Sequence, residues 1–187
     1  TRTSKYILMK YPNSLQELIE YFKLLPGIGE KNAERLAFAV LKFSDEQVEG
    51  FSDSLKNIKT KIKKCEICNN LTENDKCDIC LDQSRSSDVL CVVENTKNLI
   101  LFEKANVFNG KYHVLEGLIS PLEGINPEDI KINQLINRIK DEKIKEVILA
   151  LTPNIEGETT SGYILKMLEG YDVSVTKIAA GIPVGAD

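Results

Sequence analysis

The chain has 187 residues, of which 42% are hydrophobic and 28% charged, an ordinary globular balance with room for one domain or two to three small ones. No run approaches the ~18 consecutive apolar residues that a membrane-spanning helix needs, and no segment resembles a secretory signal. The net charge of −4 is uneven: residues 1–64 carry 12 Lys+Arg against 8 Asp+Glu, and residues 65–187 carry 12 against 20. A local basic face is enough to hold phosphates whatever the total charge. The basic first third is therefore the expected nucleic-acid side, and the acidic remainder should serve another purpose.

In chain order, Leu15, Leu18, Ile19, Phe22 and Leu25 fall at helical spacing and predict a helix over 14–25, with Asn13 or Ser14 as its N-cap. Pro26-Gly27-Ile28-Gly29 breaks it. A second helix follows through Ala33, Leu36, Ala37, Val40 and Leu41, and a third through Val48, Phe51, Leu55, Ile58 and Ile62. Gly27 and Gly29 allow a tight turn and close approach of a ligand to the backbone. The unpaired N–H groups that open the second helix suit a phosphate. Lys31 and Arg35 lie one helical turn apart and can flank that same site. The plain alternative is an αα-hairpin with a glycine turn. The stretch Leu25-Pro-Gly-Ile-Gly-x-Lys-x-Ala-x-x-Leu-Ala resembles the helix-hairpin-helix motifs, which grip the DNA backbone largely without regard to sequence.

Residues 56–64 hold Lys56, Lys59, Lys61, Lys63 and Lys64, read equally as a solvated face or a phosphate track. Next come Cys65-Glu-Ile-Cys68 and, eight residues later, Cys77-Asp-Ile-Cys80. Each pair presents two thiolates from one tight turn, and the two pairs complete a tetrahedron around Zn²⁺ with no position open to water, so the expected role is structural. A redox pair is the alternative, but two close copies outside a thioredoxin-like context disfavour it. Only five cysteines in this length exclude a secreted disulfide scaffold and point to a reducing, cytoplasmic setting.

Beyond a polar linker at 82–87, apolar runs at 89–93, 112–115, 146–151 and 173–178 alternate with helical stretches at 96–105, 128–140 and 158–169. This predicts a parallel sheet covered by helices, with the first strand buried on both faces. Glu94 closes that strand, and Glu156 and Glu158 follow the strand at 147–151. In an open parallel sheet the C-terminal strand ends form the binding crevice, so the three carboxylates could converge there and hold Mg²⁺. Alternatively Glu158 caps the next helix and the others are surface charges. His113, the one histidine, reads as a packed strand residue and Cys91 as a small core residue.

From about Ser14 onward the ordered set of motifs resembles the RecR family of bacterial recombination mediators. It is carried by Leu25-Pro-Gly-Ile-Gly, Arg35-Leu-Ala, the paired cysteines, Cys91-Val-Val-Glu94 and Tyr112-His-Val-Leu. It continues with Gly117-Leu-Ile-Ser-Pro-Leu-Glu-Gly-Ile-Asn-Pro-Glu-Asp129, Thr152-Pro-Asn-Ile-Glu-Gly-Glu-Thr159 and Ile178-Ala-Ala-Gly-Ile-Pro-Val-Gly185. The resemblance implies an α/β chain with a helical N-terminal part: a helix-hairpin-helix over 9–63, a C4 zinc finger over 64–84 and a Toprim domain over 86–184. Residues 185–187 would then begin a further C-terminal segment. In Toprim enzymes one Glu and an Asp-x-Asp pair hold magnesium; here Glu94 matches the first, and Glu156-Gly-Glu158 stands in place of the second. Asn95–Asn98 departs from the more acidic or proline-containing loop usual there, which leaves magnesium open. The resemblance further implies a non-enzymatic protein that forms ring-like homo-oligomers (dimer or tetramer) around gapped, single- or double-stranded DNA. With RecO and RecF it would help load RecA during recombinational repair. The rival is a metal-dependent Toprim nuclease. A topoisomerase needs a tyrosine nucleophile domain and a primase needs nucleotide-binding parts, for which the chain has no room.

Overall fold

The computed structural model describes residues 11–178, in two compact units divided between Thr60 and Lys61. The limits expected at residues 9 and 184, and the segment 185–187, lie outside the described residues. Among the described residues no helix is long and apolar enough to cross a membrane.

The first unit is helical. Helix α1 spans Asn13–Lys23, α2 Glu30–Val40 and α3 Asp45–Lys61. The N-cap of α1 is Pro12 and not Asn13 or Ser14: its carbonyl accepts from the N–H groups of Leu15 and Gln16, both at 3.0 Å, and no side chain caps the helix. Ile19, Ala33 and Ala37 are fully buried between α1 and α2, where the two alanines let the backbones approach closely. Helix α3 opens with a reciprocal capping box, in which Ser44 N–H donates to Gln47 Oε1 at 3.0 Å and Gln47 N–H to Ser44 Oγ at 3.3 Å. None of its apolar residues is buried.

The second unit opens with a two-stranded hairpin, β1 Lys63–Lys64 and β2 Leu71–Thr72, and a short helix α4, Asp78–Leu81. Then come β3 Val89–Val93, α5 Thr96–Ala105, β4 Lys111–Val114, α6 Ile132–Glu142, β5 Glu146–Ala150, α7 Ile155–Met167 and β6 Ser174–Lys177. The four longer strands form one parallel sheet in the order β4-β3-β5-β6. Side chains alternate across β3: Leu90 and Val92 join the core under Leu135, Ile139, Val147 and Ile164, while Cys91 and Val93 pack on the other face with Leu99, Tyr112 and Ala150. Burial pushes the Cys91 thiol up to about 12, in keeping with a core residue.

Two helix starts differ from the sequence reading. Helix α6 begins at Ile132 because residues 126–129 form a turn closed by Asp129, whose Oδ2 accepts from Asn126 N–H at 2.8 Å. Helix α7 begins at Ile155, and its cap is Asn154, whose Oδ1 accepts from Gly157 N–H at 2.8 Å; Glu158 is not the cap.

His113 is fully buried on β4 and its Nε2–H donates to the Lys131 carbonyl at 3.0 Å. Burial lowers its pKa from 6.5 to about 4, opposed by that hydrogen bond and helped by Arg138. Between these values the unfolded chain binds the proton and the folded chain does not, so stability is complete above about pH 6.5 and falls as the pH drops toward 4. The expected loss is on the order of 3 kcal/mol across the window. Thermal melts at pH 7 and pH 5 should show it, and a His113→Asn variant should lose that pH dependence; an unchanged slope would contradict the assignment.

Candidate DNA hairpin, metal centre and acidic crevice

The hairpin between α1 and α2 is a type II turn: Ile28 N–H donates to the Leu25 carbonyl at 3.1 Å, Pro26 holds the second position and Gly27 the third, at φ +81°. Gly27 is thus required by the backbone. Gly29 is not: it is the N-cap of α2 at φ −85°, and a Cβ there would meet nothing within 4 Å. Its bareness leaves the opening N–H groups of α2 approachable from outside. Lys31 and Arg35 are exposed on α2, on the side away from the buried Ala33 and Ala37. Neither has a carboxylate within 4.0 Å among the described residues, whereas the nearby Glu30 is taken up by Lys23 at 2.7 Å. Of the five lysines at 56–64, Lys56 pairs with Asp53, Lys63 with Asp75 and Lys64 with Glu116, leaving Lys59 and Lys61 without an ion pair among the described residues.

The thiol sulfurs of Cys65, Cys68, Cys77 and Cys80 all lie within 4.8 Å of one another. Cys65, Cys68 and Cys77 are buried. A tetrahedron with Zn–S near ~2.3 Å has edges of about 3.8 Å, and the Cys68–Cys77 sulfur separation is 3.5 Å. The local fold aims donors at these sulfurs: Cys77 N–H donates to Cys65 Sγ at 3.3 Å. Asn69 adopts the left-handed φ of +61° and closes the first knuckle by donating its N–H to the Cys65 carbonyl at 2.9 Å. Hydrogen bonding from Cys68 and Cys80 holds the Cys77 thiol low, and bonding to Cys77 and Cys80 holds that of Cys68 high. Four sulfurs this close can all be thiolates only around a dication, so the donor set fits zinc.

The finger is fastened to β4, an edge strand of the sheet. Val114 N–H donates to the Cys68 carbonyl at 2.8 Å. Asn69 Nδ2 donates to Gln134 Oε1 at 2.9 Å, and Gln134 Nε2 returns a bond to the Glu66 carbonyl at 3.0 Å. The linker at 82–87 is held by Arg85, which forks onto Glu103 at 2.9 and 2.6 Å.

Glu94 follows β3, and Glu156 stands in the first turn of α7 beyond β5, on the two sides of the point where the strand order reverses. Both line a cavity of about 370 Å³ with Gly117, Ser120, Glu123 and Asn154. Thr152 Oγ1 donates to Glu94 Oε2 at 2.6 Å, and buried Thr160 joins the 117–125 loop to α7 by accepting from Ile119 N–H at 2.8 Å. Gly157 lies so close to β5's exit that a Cβ would stand 1.8 Å from the Thr152 carbonyl oxygen, so only glycine fits between the two glutamates. Glu158 does not line the cavity and pairs with Lys177 of β6 at 2.6 Å. Among the described residues the four cysteines are the one group close enough to share a metal ion; the three glutamates do not come that near one another. Thr160 and Lys177 stand outside every motif of the sequence, and Thr152 and Asn154 stand within the 152–159 motif without a role of their own there. Asn154 alone carried a local signal, as a cap residue three positions before Gly157.

This arrangement defines a protein with a helix-hairpin-helix, a four-cysteine zinc finger and a Toprim sheet. Family models match in the same order: the RecR helix-hairpin-helix over residues 15–59, the RecR four-cysteine zinc finger domain over 62–82 and a Toprim domain over 88–179. Over 179 residues, 96% of this chain and 90% of the relative, it is 48% identical to the recombination protein RecR of Staphylococcus saprophyticus. It is 47% identical over the same span to that of Staphylococcus haemolyticus. The chain belongs to the RecR family, and zinc is the structural cofactor of its finger.

Proposed function

We propose that this protein is a non-enzymatic, DNA-binding recombination mediator of the cytoplasm that encloses DNA as a ring-like homo-oligomer. In this reading it acts with RecO and RecF to help load RecA on gapped or single-stranded DNA. Residues 9–63 are its DNA-binding part, 64–84 its zinc finger and 86–184 its Toprim part. The carrying observation is the hairpin: a glycine at 29 that neither backbone nor packing demands, followed by exposed Lys31 and Arg35 without carboxylate partners among the described residues. Gly27 and Gly29 bring the backbone to the phosphates, and Lys31 and Arg35 neutralise them. Cys65, Cys68, Cys77 and Cys80 are the zinc ligands.

Glu94, Glu156 and Glu158 offer negative charge to a basic surface on a partner such as RecO, in place of holding magnesium. Glu158, drawn off to Lys177 and outside the cavity that Glu94 and Glu156 line, supports this over the nuclease reading, which needs all three on a shared metal. A Glu156→Ala, Glu158→Ala double variant is expected to weaken partner binding at least tenfold, as read by interaction titration, and to leave DNA affinity unchanged. Incubation of the wild type with gapped DNA and Mg²⁺ or Mn²⁺ should yield no strand cleavage. Metal-dependent cleavage abolished in the double variant would put the nuclease in its place.

A further inference from the structure

We propose that Lys111 couples zinc in the finger to the edge of the parallel sheet, so that each stabilises the other. Lys111 opens β4, paired with Leu90 of β3, and is buried with 9% exposure. An ammonium has three N–H donors. All three find backbone carbonyls at the end of α4, the helix that carries the second knuckle: Ile79 at 2.8 Å, Cys80 at 3.2 Å and Asp82. These carbonyls lie at and just beyond the end of the single turn of α4, where the helix supplies them no partner.

The grip lies on the backbone of a ligand residue, since the Cys80 carbonyl belongs to the residue whose sulfur completes the tetrahedron. The first knuckle is held at the other end of the same strand, where Val114 N–H donates to the Cys68 carbonyl and Asn69 reaches Gln134 on α6. The finger thus holds the edge strand β4 at both ends, by the Lys111 side chain at one and the Val114 backbone at the other, while the Tyr112 carbonyl between them accepts from Arg138 of α6. Groups that orient metal ligands from behind typically change metal affinity 10–100-fold when removed. Coupling between two equilibria is reciprocal: if the sheet edge orders the zinc site, zinc must order the sheet edge by the same factor.

The inference rests on the four cysteines being the zinc ligands. Its test uses the full zinc-loaded chain and two variants, Lys111→Met and Gln134→Ala. Zinc transfer to a chromophoric chelator gives the affinity, and amide hydrogen exchange gives the protection of β4. Lys111→Met is expected to hold zinc 10–100-fold more weakly and Gln134→Ala severalfold more weakly. Stripping zinc from the wild type is expected to raise exchange at residues 111–114 well before residues 146–150. Should Lys111→Met fail to fold, Gln134→Ala and the wild-type exchange comparison decide the matter. Zinc bound as tightly in the variants as in the wild type, or β4 amides equally protected after stripping, would overturn the coupling while leaving the ligand assignment intact. Protein purified with reduced cysteines and no zinc would overturn both.

Discussion

Replacing Cys68 by Ser is expected to abolish stoichiometric zinc and lower the melting temperature by about 10 °C or more. The estimate follows from the site's position. Cys68 is buried, its sulfur lies 3.5 Å from that of Cys77, and its carbonyl receives the Val114 amide on the sheet edge. A serine hydroxyl is a poor zinc ligand, and three remaining thiols in a buried cluster cannot all ionise without the cation. Structural zinc supplies folding free energy outright, and losing even about 3–5 kcal/mol of it shifts the melting point of a chain this size by roughly that amount. Metal analysis and thermal melts on wild type and variant provide the check. Full zinc content with an unchanged melt in Cys68→Ser would exclude Cys68 as a ligand.

The second large effect is expected at the hairpin. Changing Lys31 and Arg35 together to Ala should weaken DNA binding roughly 100-fold or more, since hydrogen bonds to charged groups contribute about 1.5–3 kcal/mol each and ~1.4 kcal/mol is tenfold. The loss should be the same on unrelated sequences, because phosphate contacts carry no sequence information. Each phosphate neutralised contributes about 0.9 to the slope of log affinity against log salt, so the slope should fall by about two contacts' worth. Both side chains are exposed on α2, away from the buried Ala33 and Ala37, so the variant should fold normally. Binding titrations between ~50 and 200 mM salt measure both quantities. Wild-type affinity and slope in the double variant would move DNA to another face of the protein.

The parts of this molecule that were legible in the sequence are those fixed by local spacing. The 3-4 pattern of Leu15, Leu18, Ile19 and Phe22 marked α1, the unbroken run at 89–93 marked a strand covered on both faces, and two Cys-x-x-Cys pairs marked a metal centre. Helix starts were less legible where a competing local bond decided them. Pro12 displaced Asn13 as the cap of α1, and Asn154 displaced Glu158 at α7. Contacts between residues far apart in the chain left no sequence signal. Lys111 reads as an ordinary strand-opening lysine until its amine is seen on the carbonyls of Ile79, Cys80 and Asp82. Likewise Glu158 pairs with Lys177, 19 residues on, and stays outside the cavity that Glu94 and Glu156 line, although the strand–helix alternation allowed all three to converge at the strand ends.

Retention on closed circular DNA tests the clamp most directly. Salt weakens phosphate contacts steeply but cannot release a ring from a circle it encloses. Protein assembled on gapped circles and challenged with high salt should stay bound, and cutting the circle once should release it. Equal release from circular and linear DNA under the same challenge would contradict the enclosure of DNA and leave only a surface-binding protein.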